Sequence, residues 1–453
     1  MRDLIKLFRD PIYDIIYFHK ELDKPILDII DSPEFQRLRR IKQLGLSNLT
    51  FSSCNHDRFS HSIGVCFLAG LLIDGLNFSK IEIREGADTI LLDKPQVKLL
   101  VQLAAILHDI GHGPFSHAFE RALKGKADVK NTQIHEDYTI KIIKSEDHSI
   151  SQILGSIDDS NLRRYSAKWI CDIIGKVFTG PIWVQEIISS QFDVDRTDYL
   201  LRDAYMSGVR YSSFDWKWLF QNMLIAEIKL QNRDGIVFDG NRDIHALESF
   251  VVSRYHMYEQ VYFHKTTRGF EGVVNAIFKR VDFLVTNQLM NGEQFLGQYF
   301  FNFLNNYNSI EDFLGLDDYY MISQISHWAK HSKDDILTKL CVSFINRRPF
   351  KLIHTSKDQS YSYVEERKRE KDYENKMGQE CFEYFFLIDD YKNNPYKDDY
   401  LTGKNDSEHA EYIWIKTNNI VQDLSSKSMI IKALRNNEFQ VTRIFTHRDY
   451  KIN

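Results

Sequence analysis

The stretch ILHDIGHGPFSH, residues 106–117, gathers groups that can hold a metal ion and move a proton. His108 and Asp109 are adjacent at the end of an apolar run, and Gly111, His112, Gly113, Pro114 and His117 follow at once. A neutral imidazole beside a carboxylate suits Mn2+ or a transition metal. Neighbouring helical side chains point about 100° apart, so such a pair converges on one ion only at a helix end. The Gly and Pro residues end a helix there and fix a tight backbone. An HD dipeptide alone is commonly a surface pair, but this many histidines in one turn are hard to explain by packing.

Two further segments carry matching chemistry. RFSHSIGV places His61 near a helix start, with Arg58 one turn before it. FDVDRTDYLLRD places Asp193, Asp195, Asp198 and Asp203 in a helical context. Taken singly, the histidine would be a satisfied structural residue and each aspartate a solvated one. The order His, His-Asp, Asp across the three segments is far more specific.

These residues need a helical frame. Apolar spacing predicts helices over 60–76 and 96–109, a break at GHGP, and a new helix over 116–123. Helical patterning continues through 135–144, 182–206, 244–262 and 269–290. Residues 1–30 read as short strands or turns. A first helix is expected near 32–45, with Ser32 as cap and Pro33 in the first turn. After about Arg348 the composition shifts. Residues 356–378 are rich in glutamate and lysine and read as a solvated helix or loop. FEYFFLIDDY, EYIWIKT and FQVTRIFTH read as strands, with a helix around 425–435. The expected fold is mainly α: a helical body over 1–345 and a smaller α+β region over 346–453.

Composition narrows the class. Of 453 residues, 43% are hydrophobic and 27% charged, an ordinary globular balance. The net charge of -5 advertises no general nucleic-acid binding. The five cysteines form no CxxC pair and read as reduced thiols filling the core. MRDLIKLFRDP lacks a signal-peptide core, and Val65–Ile73 is too short to span a bilayer. A cytoplasmic location without a membrane partner is the expectation.

The order H…HD…D resembles the signature of the HD superfamily of phosphohydrolases. More narrowly, the chain is similar to the dNTP triphosphohydrolase branch, whose vertebrate member joins a SAM domain to the HD domain. The strings that carry this are FQRLRRIKQLG, NHDRFSHSIGVCFLAG, HDIGHGPFSHAFE, HE at 135–136, DVDRTDYLLRDA and SRYHMYEQVYFHK, from roughly residue 8 to 290. The resemblance implies one divalent ion (Mn, Fe, Zn, Ni or Mg) on His61, His108, Asp109 and Asp195, with a second Mg2+ travelling with the nucleotide. It implies that His112, His117, His135 and Glu120 surround the reacting phosphate, with His117 and His135 as the proton-transfer pair. Glu120 stands where the vertebrate relative has Asp, which puts its reach in question. Phosphate grips fall on Arg58, Arg196 and Arg254, with Lys265 a weaker match. Sugar contacts fall on Gln43, Asp203, Tyr199 and Tyr262.

The resemblance also implies a guanine-nucleotide activator site. Asp31, Gln36, Arg39, Arg347 and Lys351 match its positions, and structural ion pairs explain the same residues equally well. With it comes a homo-oligomer, a dimer or tetramer. The expected reaction converts a dNTP and water to a deoxynucleoside and triphosphate. Two other readings stay open: an HD phosphohydrolase on another nucleotide (a monophosphate or second messenger), and a low-turnover nucleotide or nucleic-acid sensor.

Overall fold

Three helices build the frame that the site requires. The Arg58–Gly75 helix is capped by Asp57, whose side chain accepts from the Ser60 N–H at 2.9 Å. Its residues are apolar on nearly every side and it runs through the interior. The Lys94–Leu107 helix begins with a reciprocal capping box between Asp93 and Gln96 and carries a proline in its first turn. It stops just before the HD pair, so His108 and Asp109 sit at its C-terminal end. The Val194–Ser207 helix is capped by Asp193, which accepts from the Arg196 N–H at 2.7 Å, and ends at Gly208 with φ 76°. Both the Lys94–Leu107 and Val194–Ser207 helices pack on the Arg58–Gly75 helix. That arrangement brings residues distant in sequence to one spot.

The computed structural model describes residues 4–124, 134–356, 359–393, 396, 412–435 and 439–450. The architecture is mainly α with a C-terminal α+β region, as expected. An N-terminal hairpin pairs Ile5–Asp10 with Asp14–His19, and a second pairs Lys80–Glu85 with Asp88–Asp93. A three-stranded sheet has the order Lys351–Ser356, Phe439–Thr446, Phe386–Asn393. A four-stranded sheet has the order Ile420–Asp423, Trp414–Thr417, Arg233–Asp239, Leu224–Ile228. Within it, Arg233–Asp239 and Trp414–Thr417 run parallel, which joins a C-terminal strand to one from the helical body. One continuous apolar core extends from Ile16 to Phe445. No helix among the described residues is long and apolar enough to cross a membrane.

Several expected elements move. The first helix is Lys24–Asp31, and residues 33–40 form only a short turn of helix followed by a 3-10 turn. Ser32 is a cap as read, accepting from the Phe35 N–H at 3.3 Å. The expected 182–206 helix is two pieces, Ile182–Glu186 and Val194–Ser207. Asp193 accounts for the break, because it accepts from both the Ser190 and Arg196 N–H groups and restarts the helix. The 244–262 helix changes pitch at Tyr258, where a π-turn runs to Tyr262. The charged segment is helical over Gln359–Met377, while residues 357 and 358 lie outside those described. In FEYFFLIDDY a short helix, Gln379–Phe385, precedes the Phe386–Asn393 strand. Glu411, at the start of EYIWIKT, lies outside the described residues, and Trp414–Thr417 is a strand. The helix expected around 425–435 begins at Met429.

The turn after the HD pair needs its glycines. A methyl on Gly111 would run into the His135 carbonyl and the Thr139 backbone. Gly45, at φ 50°, lies so close that a Cβ would stand 2.8 Å from the Phe115 carbonyl oxygen. Phe115 and Ser116 themselves hold φ of 58° and 52°, a left-handed pair costly for side-chain-bearing residues. Ser116 is fixed there by accepting from Arg58 Nε at 3.0 Å and donating to the Lys42 carbonyl at 3.1 Å.

Candidate metal and nucleotide site

His61 and His108 face one another with ring centres 5.3 Å apart. Each ring is fixed from its far side. His61 Nδ1 lies 2.8 Å from Asp198 Oδ1, and His108 Nδ1 donates to the Ala105 carbonyl at 2.7 Å. A carbonyl can only accept, so His108 Nδ1 carries the proton and Nε2 presents its lone pair. Neither Nε2 has a hydrogen-bond partner among the described residues, and both are buried. Around them stand carboxylate oxygens. Asp195 Oδ1 is 3.0 Å from His61 Nε2 and 3.5 Å from His108 Nε2. Asp109 places Oδ2 3.6 Å from His61 Nε2 and Oδ1 3.4 Å from His108 Nε2. Lone pairs facing lone pairs repel unless a cation lies between them. The donor set therefore fits a divalent ion, with nitrogen and oxygen ligands that accept several transition metals.

The titration of these groups states the same fact. Burial opposes a charge on His61, yet Asp195 and Asp198 outweigh it and lift its pKa to about 10. Burial likewise opposes ionisation of Asp195, but His108 and His61 pull it well below the ordinary carboxylate range. Asp109 is held low against burial by Arg58, His108 and His112. A metal ion and a proton would therefore compete for these ligands.

Glu120 organises the neighbouring group. Its Oε1 is 2.7 Å from His135 Nδ1 and 3.3 Å from His112 Nδ1, and its Oε2 is 3.3 Å from His117 Nδ1. The extra methylene relative to aspartate does not prevent contact with all three histidines. His112 stacks on His135 with ring centres 4.1 Å apart, and its Nε2 is 3.2 Å from Asp109 Oδ1. The two rings titrate in opposite directions. Burial, Arg58 and His135 keep His112 neutral, while Glu120 overcomes burial and raises His135 to about 9. His117 is the exposed member, with its side chain 59% accessible.

All of these line one cleft of about 330 Å3, together with Gln43, Arg58, Arg196, Tyr199, Asp203 and Tyr262. That is the size range of a small-molecule site. Asp203 is held by His56 Nε2 at 2.7 Å and by the Tyr262 hydroxyl at 2.9 Å. Among the described residues, the buried Gln43 Oε1 has no hydrogen-bond partner. Arg58 is tied to Asp109 and to Ser116. Arg196 Nε donates to Asp193 at 3.1 Å. Arg254, read as a phosphate grip, stands just behind the lining: it donates to Gln191 at 3.0 Å and lies over the ring of Tyr258, which lines the cleft. Lys265 opens the Lys265–Thr286 helix and is also outside the lining.

The residues read as an activator site lie outside the lining of this cleft. Arg39 donates to Gln36 at 2.8 Å, and Gln36 donates to the Ile30 carbonyl at 2.7 Å. Arg347 donates to the Leu49 carbonyl from two nitrogens, at 3.0 and 2.6 Å. Asp31 and Lys351 are exposed.

Some site residues were not singled out from the sequence. Arg121, Lys124, Lys176 and Arg268 line the cleft. Arg121 and Arg268 share Glu271, and Arg268 also pairs with Asp389. His56 and Asp198 act from behind the wall. Both lie inside the quoted strings, and the spacing of Asp198 from Asp195 and Arg202, one helical turn each way, was the available signal.

A helical frame that ends on an HD pair and closes a His/Asp cluster defines an HD-type hydrolase. The HD domain family matches residues 58–203, and the HD associated region matches residues 221–294. YwfO, an uncharacterized protein of Bacillus subtilis, is 32% identical over 95% of this chain and 89% of its own length. The deoxynucleoside triphosphate triphosphohydrolase SAMHD1 homolog of Dictyostelium discoideum is 32% identical over 63% of this chain and 52% of that protein. A phosphohydrolase from Bacteroides thetaiotaomicron shares the fold, with a TM-score of 0.75 at 24% identity over 98% of this chain and 100% of that one. The chain belongs to the HD-domain phosphohydrolase family, and within it is related to the SAMHD1 triphosphohydrolases.

Proposed function

We propose that the protein is a metal-dependent deoxynucleoside triphosphate triphosphohydrolase, converting a dNTP and water to a deoxynucleoside and inorganic triphosphate. One observation carries this reading. The His61, His108, Asp109 and Asp195 cluster shares a single cleft with Gln43, Asp203 and Tyr262, groups suited to a sugar hydroxyl. The relatives named as triphosphohydrolases support the same choice.

A divalent ion on the cluster would supply Lewis acidity, neutralising phosphate charge and acidifying water. Arg58 and Arg196 add fixed positive charge beside it, and a guanidinium fork suits phosphate oxygens. His117 turns Nδ1 toward Glu120, which leaves Nε2 to give a proton to the departing sugar oxygen. His135, protonated near neutral pH by its Glu120 partner, keeps positive charge next to the reacting phosphate. Asp203 accepts the single hydrogen of the 3′-hydroxyl, the Gln43 amide is placed to donate to the same oxygen, and Tyr262 donates to Asp203 beside them. Tyr199 and Tyr262, which both line the cleft, are the groups that would discriminate against a 2′-hydroxyl.

Hydrolysis of the four dNTPs and the four rNTPs under Mn2+, each alone and with GTP present, tests the assignment. Turnover confined to dNTPs is expected, and Asp203→Ala raises KM by about tenfold, the worth of a charge-assisted hydrogen bond. Equal turnover of dNTPs and rNTPs would remove the sugar assignment. Faster dATP turnover with GTP would support an activator site around Arg39 and Arg347.

A further inference from the structure

Outside the reacting groups, a run of buried bonds joins His61 to the N-terminal hairpin. Asp198 and His61 are fully buried, and Arg202 is 1% exposed. Asp198 Oδ1 lies 2.8 Å from His61 Nδ1 and accepts from Arg202 Nε at 2.8 Å. Its Oδ2 accepts from Arg202 Nη2 at 2.9 Å and from the Tyr13 hydroxyl at 2.8 Å. A carboxylate has about four acceptor positions, so every one is used. Arg202 turns its remaining Nη1 to Asp10 Oδ2 at 2.7 Å. The other Asp10 oxygen accepts from the Ile12 and Tyr13 N–H groups at 2.8 and 3.1 Å, which closes the hairpin turn. The turn, Arg202, Asp198 and His61 thus form one bonded chain across 185 residues of sequence.

Two features argue that this chain does more than join elements. Buried ion pairs contribute little net stability compared with apolar packing, because desolvation offsets the attraction. A group that orients a metal ligand, by contrast, is typically worth 10- to 100-fold in metal affinity. Space has also been left for it. A Cβ on Gly64, one turn after His61, would run into Asp198 and Arg202. The glycine allows the carboxylate to lie flat against the Arg58–Gly75 helix.

We propose that the Asp10–Tyr13 turn is a positioning device for the metal site. By saturating Asp198 it fixes the ring plane and tautomer of His61, with Nδ1 protonated and Nε2 turned to the ion. Tyr13, Arg202 and Asp198 are positioning residues. The proposal rests on His61 being a metal ligand and is independent of which nucleotide is hydrolysed.

Mn2+ titration of the full chain by calorimetry tests it, with thermal melting as the check on folding. Wild type is expected to bind at least one ion. Asp198→Asn should bind it about 10- to 100-fold more weakly. Tyr13→Phe, which loses a single hydroxyl, should weaken it about 3- to 10-fold. Tyr17→Phe, on the exposed face of the same hairpin, should leave affinity unchanged. Excess Mn2+ should restore the activity of Tyr13→Phe. A folded Tyr13→Phe chain that binds Mn2+ as tightly as wild type overturns the proposal, even if Asp198→Asn fails to fold. A wild-type chain that binds no Mn2+ would overturn the metal reading itself, a separate outcome.

Discussion

His108→Ala should lose the divalent ion and slow hydrolysis by about a thousandfold or more, while the chain stays folded. His108 is the cleanest ligand to remove. Its side chain makes one described hydrogen bond, to the Ala105 carbonyl at a helix end. Asp109, by contrast, holds a buried arginine and touches three histidines. Removing it would strand Arg58, and breaking a buried pair costs about 3–5 kcal/mol of stability. The size of the rate effect follows from the ion's role. Several kcal/mol of transition-state charge stabilisation are lost, and each 1.36 kcal/mol is about tenfold. Metal content by plasma mass spectrometry and turnover should fall together. Full metal content with unchanged turnover would mean that the cluster is structural.

Glu120→Gln should move the alkaline limb of the rate profile by roughly two pH units. The carboxylate of Glu120 overcomes burial and lifts His135 to about 9. Without that charge, only the weaker pull of Glu136 and Asp109 opposes burial, and His135 falls back toward its ordinary pKa of about 6.5. At pH 8 the protonated fraction then falls by roughly 30-fold, and kcat/KM falls with it if the charged ring is required. At pH 6 the loss should be much smaller. The sign for folding is the same. A raised histidine pKa adds stability below its unfolded value, and that stability fades as pH rises through about 9. Equal loss of activity at every pH would instead assign Glu120 a purely structural place.

The sequence made the chemistry legible before the architecture. His61, His108, Asp109 and Asp195 stand out because their residue types recur in an order that packing alone does not require. The helices over 60–76 and 96–109 were legible from their apolar spacing, whereas the restart at Asp193 was hidden inside one expected helix over 182–206. What stayed hidden depends on long-range contact. Tyr13 looks like a core residue until its hydroxyl is seen on Asp198. The pitch change at Tyr258–Tyr262 leaves the apolar pattern almost intact, yet it belongs to the element that brings the Tyr262 hydroxyl to Asp203. π-turns of this kind are frequent at functional sites.

The proposed reaction breaks the bond between the α-phosphorus and the 5′-oxygen and leaves the triphosphate whole. Phosphorus NMR of dATP, dGTP, dCTP and dTTP incubated with the Mn2+-loaded chain reads this directly. The expected spectrum shows inorganic triphosphate growing as the dNTP signals decay, with an equal amount of deoxynucleoside. Orthophosphate or pyrophosphate appearing first, with a deoxynucleotide left behind, would contradict it.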